Sequence, residues 1–144
     1  IHNLELGPVP KLDLQAEKNL QEFLIEAGQQ GLVHSASDLS EGGLACALGE
    51  GCICGEKPIG CSVTLDDLPN IRLDALLFGE SCGRALISCK SEKTPILEKL
   101  AQNKKVPFFI IGKVTGKNLT IRKNQQSIIS VPIEDLKKAW YRTW

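Results

Sequence analysis

Apolar residues recur at helical spacing near the start of the chain. Asp13 is suited to cap a helix ending near Gln30, and the apolar positions between them share one face: Ala16, Leu20, Phe23, Leu24 and Ala27. Gly31 stands where a left-handed residue would end that helix. The pattern therefore predicts one amphipathic helix over residues 13–30.

Short apolar runs then alternate with helical segments. Strands are predicted at 32–36, 59–65, 83–89, 107–114, 118–123 and 127–131, and helices at 42–51, 72–78, 94–103 and from 132 onward. The run 106–111 is typical of a buried strand, turns at 116–118 and 123–126 predict hairpins, and Ile133, Leu136 and Trp140 share one stripe of the last helix. This mixture predicts an α+β domain, a mixed β-sheet covered by helices.

The first twelve residues differ from the rest. Gly7-Pro8-Val9-Pro10 cannot be helical, so residues 1–12 are interpreted as a linker from an upstream domain and residues 13–144 as the folded domain. The chain also begins at Ile1 and contains no methionine, which predicts a piece of a longer polypeptide.

Composition narrows the class of protein. Hydrophobic residues make up 42% and charged residues 24% of the chain, as in soluble globular domains. No apolar run approaches the ~20 residues of a membrane-spanning helix, and the start does not resemble a signal peptide. We therefore expect a cytoplasmic location and no membrane partner.

A net charge of zero hides an uneven distribution. Residues 1–89 hold 5 Lys/Arg against 13 Asp/Glu, a balance of −8, and residues 90–144 hold 12 against 4, a balance of +8. The lysines of the basic half are spaced along predicted elements without interleaved aromatic residues, as on an ordinary solvated face. We therefore predict no nucleic-acid partner.

Six cysteines stand at 46, 52, 54, 61, 82 and 89. Most lie in apolar segments, where a free thiol behaves as a small hydrophobic side chain. Cys52, Cys54 and Cys61 could supply three thiolates to zinc, but no CxxC pair or nearby histidine completes such a site. The hydrophobic interpretation is preferred.

Candidate chemistry concentrates first in residues 35–45, where a predicted strand leads into a helix. Backbone N–H groups at a helix start attract anions, and Gly42 and Gly43 would let a phosphate come close beside Ser40. Asp38, at the carboxyl end of the strand, could hold Mg²⁺ against that phosphate. The simpler alternative from the pattern is structural: Ser40 or Asp38 caps the helix, and the glycines permit tight packing.

The second segment, residues 74–84, places Glu80 and Ser81 in a turn between a helix and a strand. Binding residues concentrate in such loops, although Glu80 could instead pair with Arg84 in a plain polar turn. The only histidines, His2 and His34, form no evident nucleophile–base set with serine or cysteine. No catalytic residue is predicted.

The two segments together carry a family resemblance. Ser-Ala-Ser-Asp-Leu-Ser-Glu-Gly-Gly-Leu-Ala at 35–45 and Leu-Phe-Gly-Glu-Ser at 77–81 strongly resemble the C-terminal repeat of the phosphoribosylformylglycinamidine synthase II family, and further matching stretches extend the resemblance over nearly the whole chain. Either motif alone would indicate only the wider superfamily with aminoimidazole ribonucleotide synthetase, selenophosphate synthetase and the hydrogenase-maturation enzyme. A domain of such a sibling, or a purely structural module, remains the alternative.

The resemblance implies a fold like the C-terminal domain of aminoimidazole ribonucleotide synthetase and a role in de novo purine biosynthesis. Members are carbon–nitrogen ligases that use ATP, Mg²⁺ and glutamine to convert formylglycinamide ribonucleotide into formylglycinamidine ribonucleotide. The implied partners are upstream domains of the same polypeptide, a glutaminase subunit and a small accessory subunit. Because Mg-ATP is bound largely by N-terminal domains in the family, we expect the isolated chain to be inactive.

The resemblance also implies residue roles. Asp38 matches a metal ligand of the family, and Glu80, Ser81 and Cys82 match a turn that touches substrate. Two residues depart from the pattern: Ser37 stands where histidine is common, and Cys82 where glutamine is common. Since this repeat's site is auxiliary or degenerate in the family, Asp38 and Glu80 are expected to support architecture or a secondary phosphate site more than chemistry.

Overall fold

The computed structural model describes residues 11–142, and the predicted linker lies almost wholly outside them. The helices are α1 (Leu14–Gln29), α2 (Gly43–Ile53), α3 (Leu73–Phe78), α4 (Thr94–Asn103) and α5 (Ile133–Tyr141). The strands are β1 (Ser35–Asp38), β2 (Cys61–Thr64), β3 (Ala85–Ser88), β4 (Gly112–Val114), β5 (Asn118–Lys123) and β6 (Gln126–Pro132). The linker and domain bounds stay predictions.

The strands form two sheets. In the smaller one β1 and β3 pair antiparallel, with Ser35 opposite Ser88 and Asp38 opposite Ala85. The larger sheet has the order β4-β2-β5-β6, in which β2 and β5 run parallel and the other neighbours antiparallel. This mixed sheet with its helices confirms the predicted α+β class.

Two apolar cores stabilise the domain, and β3 lies between them. Leu86 packs against the larger core, which contains the fully buried side chains of Leu65 and Ile121. The next residue, Ile87, packs against the smaller core of α1 and α4 around Leu97. Because successive side chains of a strand point to opposite faces, one short strand contributes to both cores.

Helix α1 forms as predicted, with one exception on its apolar face. The Asp13 carboxylate accepts hydrogen bonds from the backbone N–H groups of Gln15 and Ala16, each 3.0 Å long. Gly31 follows the helix with a left-handed φ of 61°. The side chain of Ala16 is exposed, whereas that of Phe23 is buried in the smaller core.

The strand predicted at 32–36 begins later, at Ser35. The Leu32 N–H donates to the Ala27 carbonyl over 2.9 Å, and the Leu32 side chain is buried. Such a bond belongs to the turn that closes a helix. The apolar residue that suggested a strand therefore completes the end of α1.

The run 106–111 is not a buried strand. Its residues enter neither sheet, and the side chains of Phe109 and Ile110 are 45% and 55% exposed. Phe108 packs against the smaller core and Ile111 against the larger one. The run links the two cores along the surface.

The turn at 116–118 forms, but it closes no hairpin, because β4 and β5 lie on opposite sides of β2. Thr115 N–H donates to the Gly60 carbonyl, and Gly60 N–H donates to the Gly116 carbonyl, so the chain crosses the start of β2. A Cβ at Gly60 would overlap the Asn118 carbonyl oxygen. This crossing therefore requires glycine.

The final hairpin and helix follow the prediction more closely. The left-handed residues Asn124 and Gln125, with φ values of 50° and 63°, join β5 to β6. Helix α5 buries Ile133 and half-buries Leu136, whereas Trp140 is 49% exposed. None of the helices within residues 11–142 is both long and apolar enough to cross a membrane.

Candidate functional site

The two segments singled out in the sequence meet at one end of the smaller sheet. Pairing of Asp38 with Ala85 places the end of β1 beside the start of β3. A surface depression of about 480 Å³ opens there. Both segments contribute to its lining, with Ser37, Asp38 and Ser40 from the first and Glu80, Ser81 and Cys82 from the second. We call this hollow the depression.

Gly42 and Gly43 shape the start of α2. Both are left-handed, with φ values of 72° and 62°. The Gly42 N–H donates to Glu80 Oε1 over 2.9 Å, and the Gly43 N–H donates to the Ser40 carbonyl over 3.3 Å. Both glycine amides are therefore engaged, and an anion at Gly42 would have to displace the Glu80 carboxylate.

Glu80 thus supplies the acceptor that sequence reasoning assigned to Ser40 or Asp38. A carboxylate beside a helix N-terminus is favoured by the backbone dipoles and by the free N–H groups there. The helix start is held by a residue from the second segment, and the predicted structural alternative of a local side-chain cap is wrong.

Arg84 braces the turn that carries Glu80. Its Nε donates to the Ser81 carbonyl over 3.3 Å, and its Nη2 donates to the Gly79 carbonyl. The simple pairing of Arg84 with Glu80 is therefore not the arrangement found. The guanidinium fixes the backbone on both sides of Glu80 and so fixes the direction in which its carboxylate points.

The sequence analysis did not predict that α1 lines one side of the depression. Glu17, Leu20 and Leu24 line the depression and follow one helical stripe at i, i+3 and i+7. A Cβ at Gly83 would stand 2.8 Å from Glu17 Oε1, so this carboxylate lies directly against the turn. The sequence contains the helical spacing of Glu17, Leu20 and Leu24, but it predicts Leu20 and Leu24 to be core residues on the apolar face of α1.

The charge of the depression disfavours a bare phosphate. Carboxylates of Glu17, Asp38 and Glu80 line it, against the single guanidinium of Arg84, which already donates to carbonyls. Like charges repel at short range, and more strongly where water is partly excluded. An anionic ligand is compatible with this lining when it arrives with a cation.

Asp38 is the lining carboxylate that the sequence analysis matched to a metal ligand. It also borders a second hollow of about 300 Å³, beside Glu41 and Glu50. No three His, Cys, Asp or Glu side chains within residues 11–142 are grouped to hold a metal ion, which also excludes the three-thiolate zinc site there. Mg²⁺ often takes only one or two carboxylates, with waters and phosphates completing its shell. Asp38 fits that limited role.

Known sequences are similar over most of the chain. The family model described as "AIR synthase related protein, C-terminal domain" matches residues 2–124. The phosphoribosylformylglycinamidine synthase subunit PurL of Caldanaerobacter subterraneus is 40% identical over 134 residues, and that of Methanocaldococcus jannaschii is 37% identical over 145. These matches cover 93% and 100% of the chain but 18% and 19% of the relatives. The chain thus spans about a fifth of their length.

Solved structures share the fold. The structure titled "T. maritima PurL complexed with FGAR" has a TM-score of 0.78 and 25% identity, covering 88% of this chain and 21% of that one. The PurLQS structure from Thermotoga maritima has a TM-score of 0.76 and 24% identity, covering 94% and 23%. With a family model matched over most of its length, the chain belongs to the AIR synthase related proteins, as their C-terminal domain.

Proposed function

We propose that the chain is the C-terminal domain of a phosphoribosylformylglycinamidine synthase. The complete enzyme would use ATP and glutamine to make formylglycinamidine ribonucleotide from formylglycinamide ribonucleotide in purine biosynthesis. The observation that carries this proposal is the 40% identity over 93% of the chain to relatives of that name. A sibling activity is less favoured, because relatives from both Caldanaerobacter subterraneus and Methanocaldococcus jannaschii bear the synthase name.

Partners and cofactors follow from the same proposal. Upstream domains of the same polypeptide are expected because the relatives are about five times as long as the match. Solved Thermotoga maritima PurL structures are titled as complexes with ATP and ADP, which supports nucleotide use by the complete enzyme. A glutaminase subunit, a small accessory subunit, Mg²⁺ and a cytoplasmic location belong to the same proposal.

Within the depression we assign supporting roles. Asp38 would contribute one carboxylate to a Mg²⁺ ion that accompanies a phosphate-bearing ligand, and Ser40 and Ser81 offer hydroxyls at its rim. Glu80 holds Gly42 and, through it, the start of α2. The bond-making chemistry is assigned to surfaces completed by other domains, since no nucleophile–base pair lines the depression.

A domain replacement tests the proposal directly. When this chain replaces the matching C-terminal region of the Caldanaerobacter enzyme, we expect turnover within about tenfold of the parent, equivalent to ~1.4 kcal/mol in the barrier. The reason is that a supporting domain affects the reaction through positioning, which imperfect contacts weaken only in part. ADP release with formylglycinamide ribonucleotide, ATP and glutamine is the measurement.

Two controls accompany the replacement. The parent enzyme without its C-terminal region and the isolated 144-residue chain should both show no turnover. A chimera that folds cooperatively yet lacks activity would count against the proposal, and turnover by the isolated chain would refute it.

The supporting role of Asp38 has its own test. We expect the chain to bind ADP in the presence of Mg²⁺ and not with a chelator, because the depression is lined by carboxylates. Asp38→Ala should weaken binding by about tenfold or more, since charged contacts contribute ~1.5–3 kcal/mol. Titration calorimetry gives the affinities, with Asp67→Ala in an exposed turn elsewhere as the matched control. If Asp38→Ala binds ADP with Mg²⁺ as tightly as the parent chain does, Asp38 does not hold the metal. If neither the parent chain nor the variants bind ADP, Asp38 has an architectural role.

A further inference from the structure

Cys52 and Cys61 form a buried pair of thiols in the larger core. Their sulfurs lie 3.6 Å apart in a hydrogen bond, and the two residues are 4% and 6% exposed. Cys52 belongs to the last turn of α2 and Cys61 opens β2. Neither residue lines the depression, so the proposed function does not use them.

The two thiols are chemically unequal. Hydrogen bonding with Cys61 lowers the pKa of Cys52, against the opposing effect of burial. The same bond, burial and the negative charge of Cys52 raise the pKa of Cys61. One sulfur is therefore the better nucleophile, and a protonated sulfur stands next to it. A reactive cysteine beside a resolving cysteine is the arrangement found in redox-sensitive sites.

A short surface loop joins the two elements that carry the pair. Residues 54–60 connect α2 to β2, and residues 54–57 are all exposed. The loop is tied back by Ile59, whose N–H donates to the Cys52 carbonyl over 3.0 Å. Both cysteines belong to the larger core. Loops that bury little are the first to open locally, so we expect opening of this loop to admit a small oxidant to that edge of the core.

We propose that Cys52 and Cys61 form a reversible disulfide when the protein meets hydrogen peroxide. The Cys52 thiolate attacks one peroxide oxygen, the O–O bond breaks, hydroxide leaves, and the sulfur becomes a sulfenic acid. The Cys61 sulfur then attacks the Cys52 sulfur, the S–S bond forms, the S–O bond breaks, and the departing hydroxide takes the Cys61 proton as water. The first hydroxide takes up the proton that Cys52 lost when it ionised, so two thiols lose two electrons and one peroxide becomes two waters.

The separation of the two sulfurs sets the movement that the bond requires. The sulfurs must approach from 3.6 Å to the bonded distance of about 2.05 Å. The bond would fasten the C-terminal turn of α2 to the first residue of β2. Because Glu80 holds the Gly42 turn at the other end of α2, the cross-link constrains a helix whose start contacts a residue that lines the depression.

The test treats the full 144-residue chain with hydrogen peroxide and then blocks free thiols. Cleavage at Glu56 by a glutamate-specific protease separates Cys52 from Cys61 in sequence. We expect the two peptides to remain joined, lighter by two hydrogens, and to separate after reduction with dithiothreitol. Cys52→Ser and Cys61→Ser should each abolish the joined species. If either variant fails to fold, the joined peptides of a Cys54→Ser variant still decide the matter, because Cys52 is then the one cysteine left in residues 51–56.

The matched control removes the exposed cysteines. The double variant Cys54→Ser, Cys82→Ser should form the cross-link as readily as the parent, because neither residue belongs to the pair. The proposal is overturned if Cys52 and Cys61 stay reduced at peroxide doses that oxidise Cys54, or if Cys61 is found joined to Cys54 instead.

Discussion

Replacing Gly43 by alanine is expected to destabilise the chain by about 2 kcal/mol or more and to disturb the Gly42–Glu80 contact. Gly43 has a φ of 62°, a conformation that costs an L-residue ~1–2 kcal/mol. Its Cβ would also stand 2.8 Å from the Gly79 carbonyl oxygen and 2.9 Å from that of Leu77. These are backbone atoms, which cannot rotate away, so α2 must separate from the end of α3.

Denaturant unfolding measures the loss, and the amide resonance of Gly42 reports whether Glu80 still accepts its hydrogen bond. Gly51→Ala is the matched control, because it adds the same methyl group to the same helix. Nothing lies within 4 Å of a Cβ at Gly51, so alanine there should stabilise the helix by about 0.5–1 kcal/mol. Equal stabilities of the two variants would contradict the close approach of α2 to α3.

Part of the candidate site could be predicted from the sequence, because it rests on local signals. Adjacent glycines before an apolar run indicate a helix start, and Gly79 indicates a helix end. The sequence therefore predicts a strand-to-helix turn in residues 35–45 and a helix-to-strand turn at Glu80 and Ser81. The bond between Glu80 and Gly42 could not be predicted. It joins residues 38 positions apart and depends on how β1 and β3 pair.

The fold divides in the same way. Pro95 at the first turn of α4 and Asp13 before α1 fixed helices through their own backbone chemistry, so these helices were predicted closely. The turn at Gly116 also forms, but β4 and β5, which it connects, each pair with β2 and not with one another. A strand can pair with partners that are distant in the sequence. A turn determines the pairing of the two strands it connects only when no third strand lies between them. Here β2 is inserted, and the predicted hairpin became a crossing.

Truncating Ile121 to alanine should cost about 2–5 kcal/mol of the free energy of unfolding. Ile121 is 0% exposed and lies on β5, opposite Val63 of β2 and Ile129 of β6. Hydrogen-bonded strands on both sides hold the surrounding backbone in place, so the cavity cannot close by collapse. For a domain stabilised by ~5–15 kcal/mol, this is a large fraction of the total. The denaturant midpoint should fall with little change in the slope.

Ile128→Ala removes the same atoms from the neighbouring strand and isolates the effect of burial. Ile128 is 37% exposed on β6, so its truncation should cost well under half as much as that of Ile121. The larger core and the depression are linked through α2, whose Leu44 and Leu48 are buried in that core while Gly42, the residue before the helix, contacts Glu80. If the two variants lose equal free energy of unfolding, Ile121 on β5 is not a central residue of the larger core. The packing of α2 on that core would then not depend on β5.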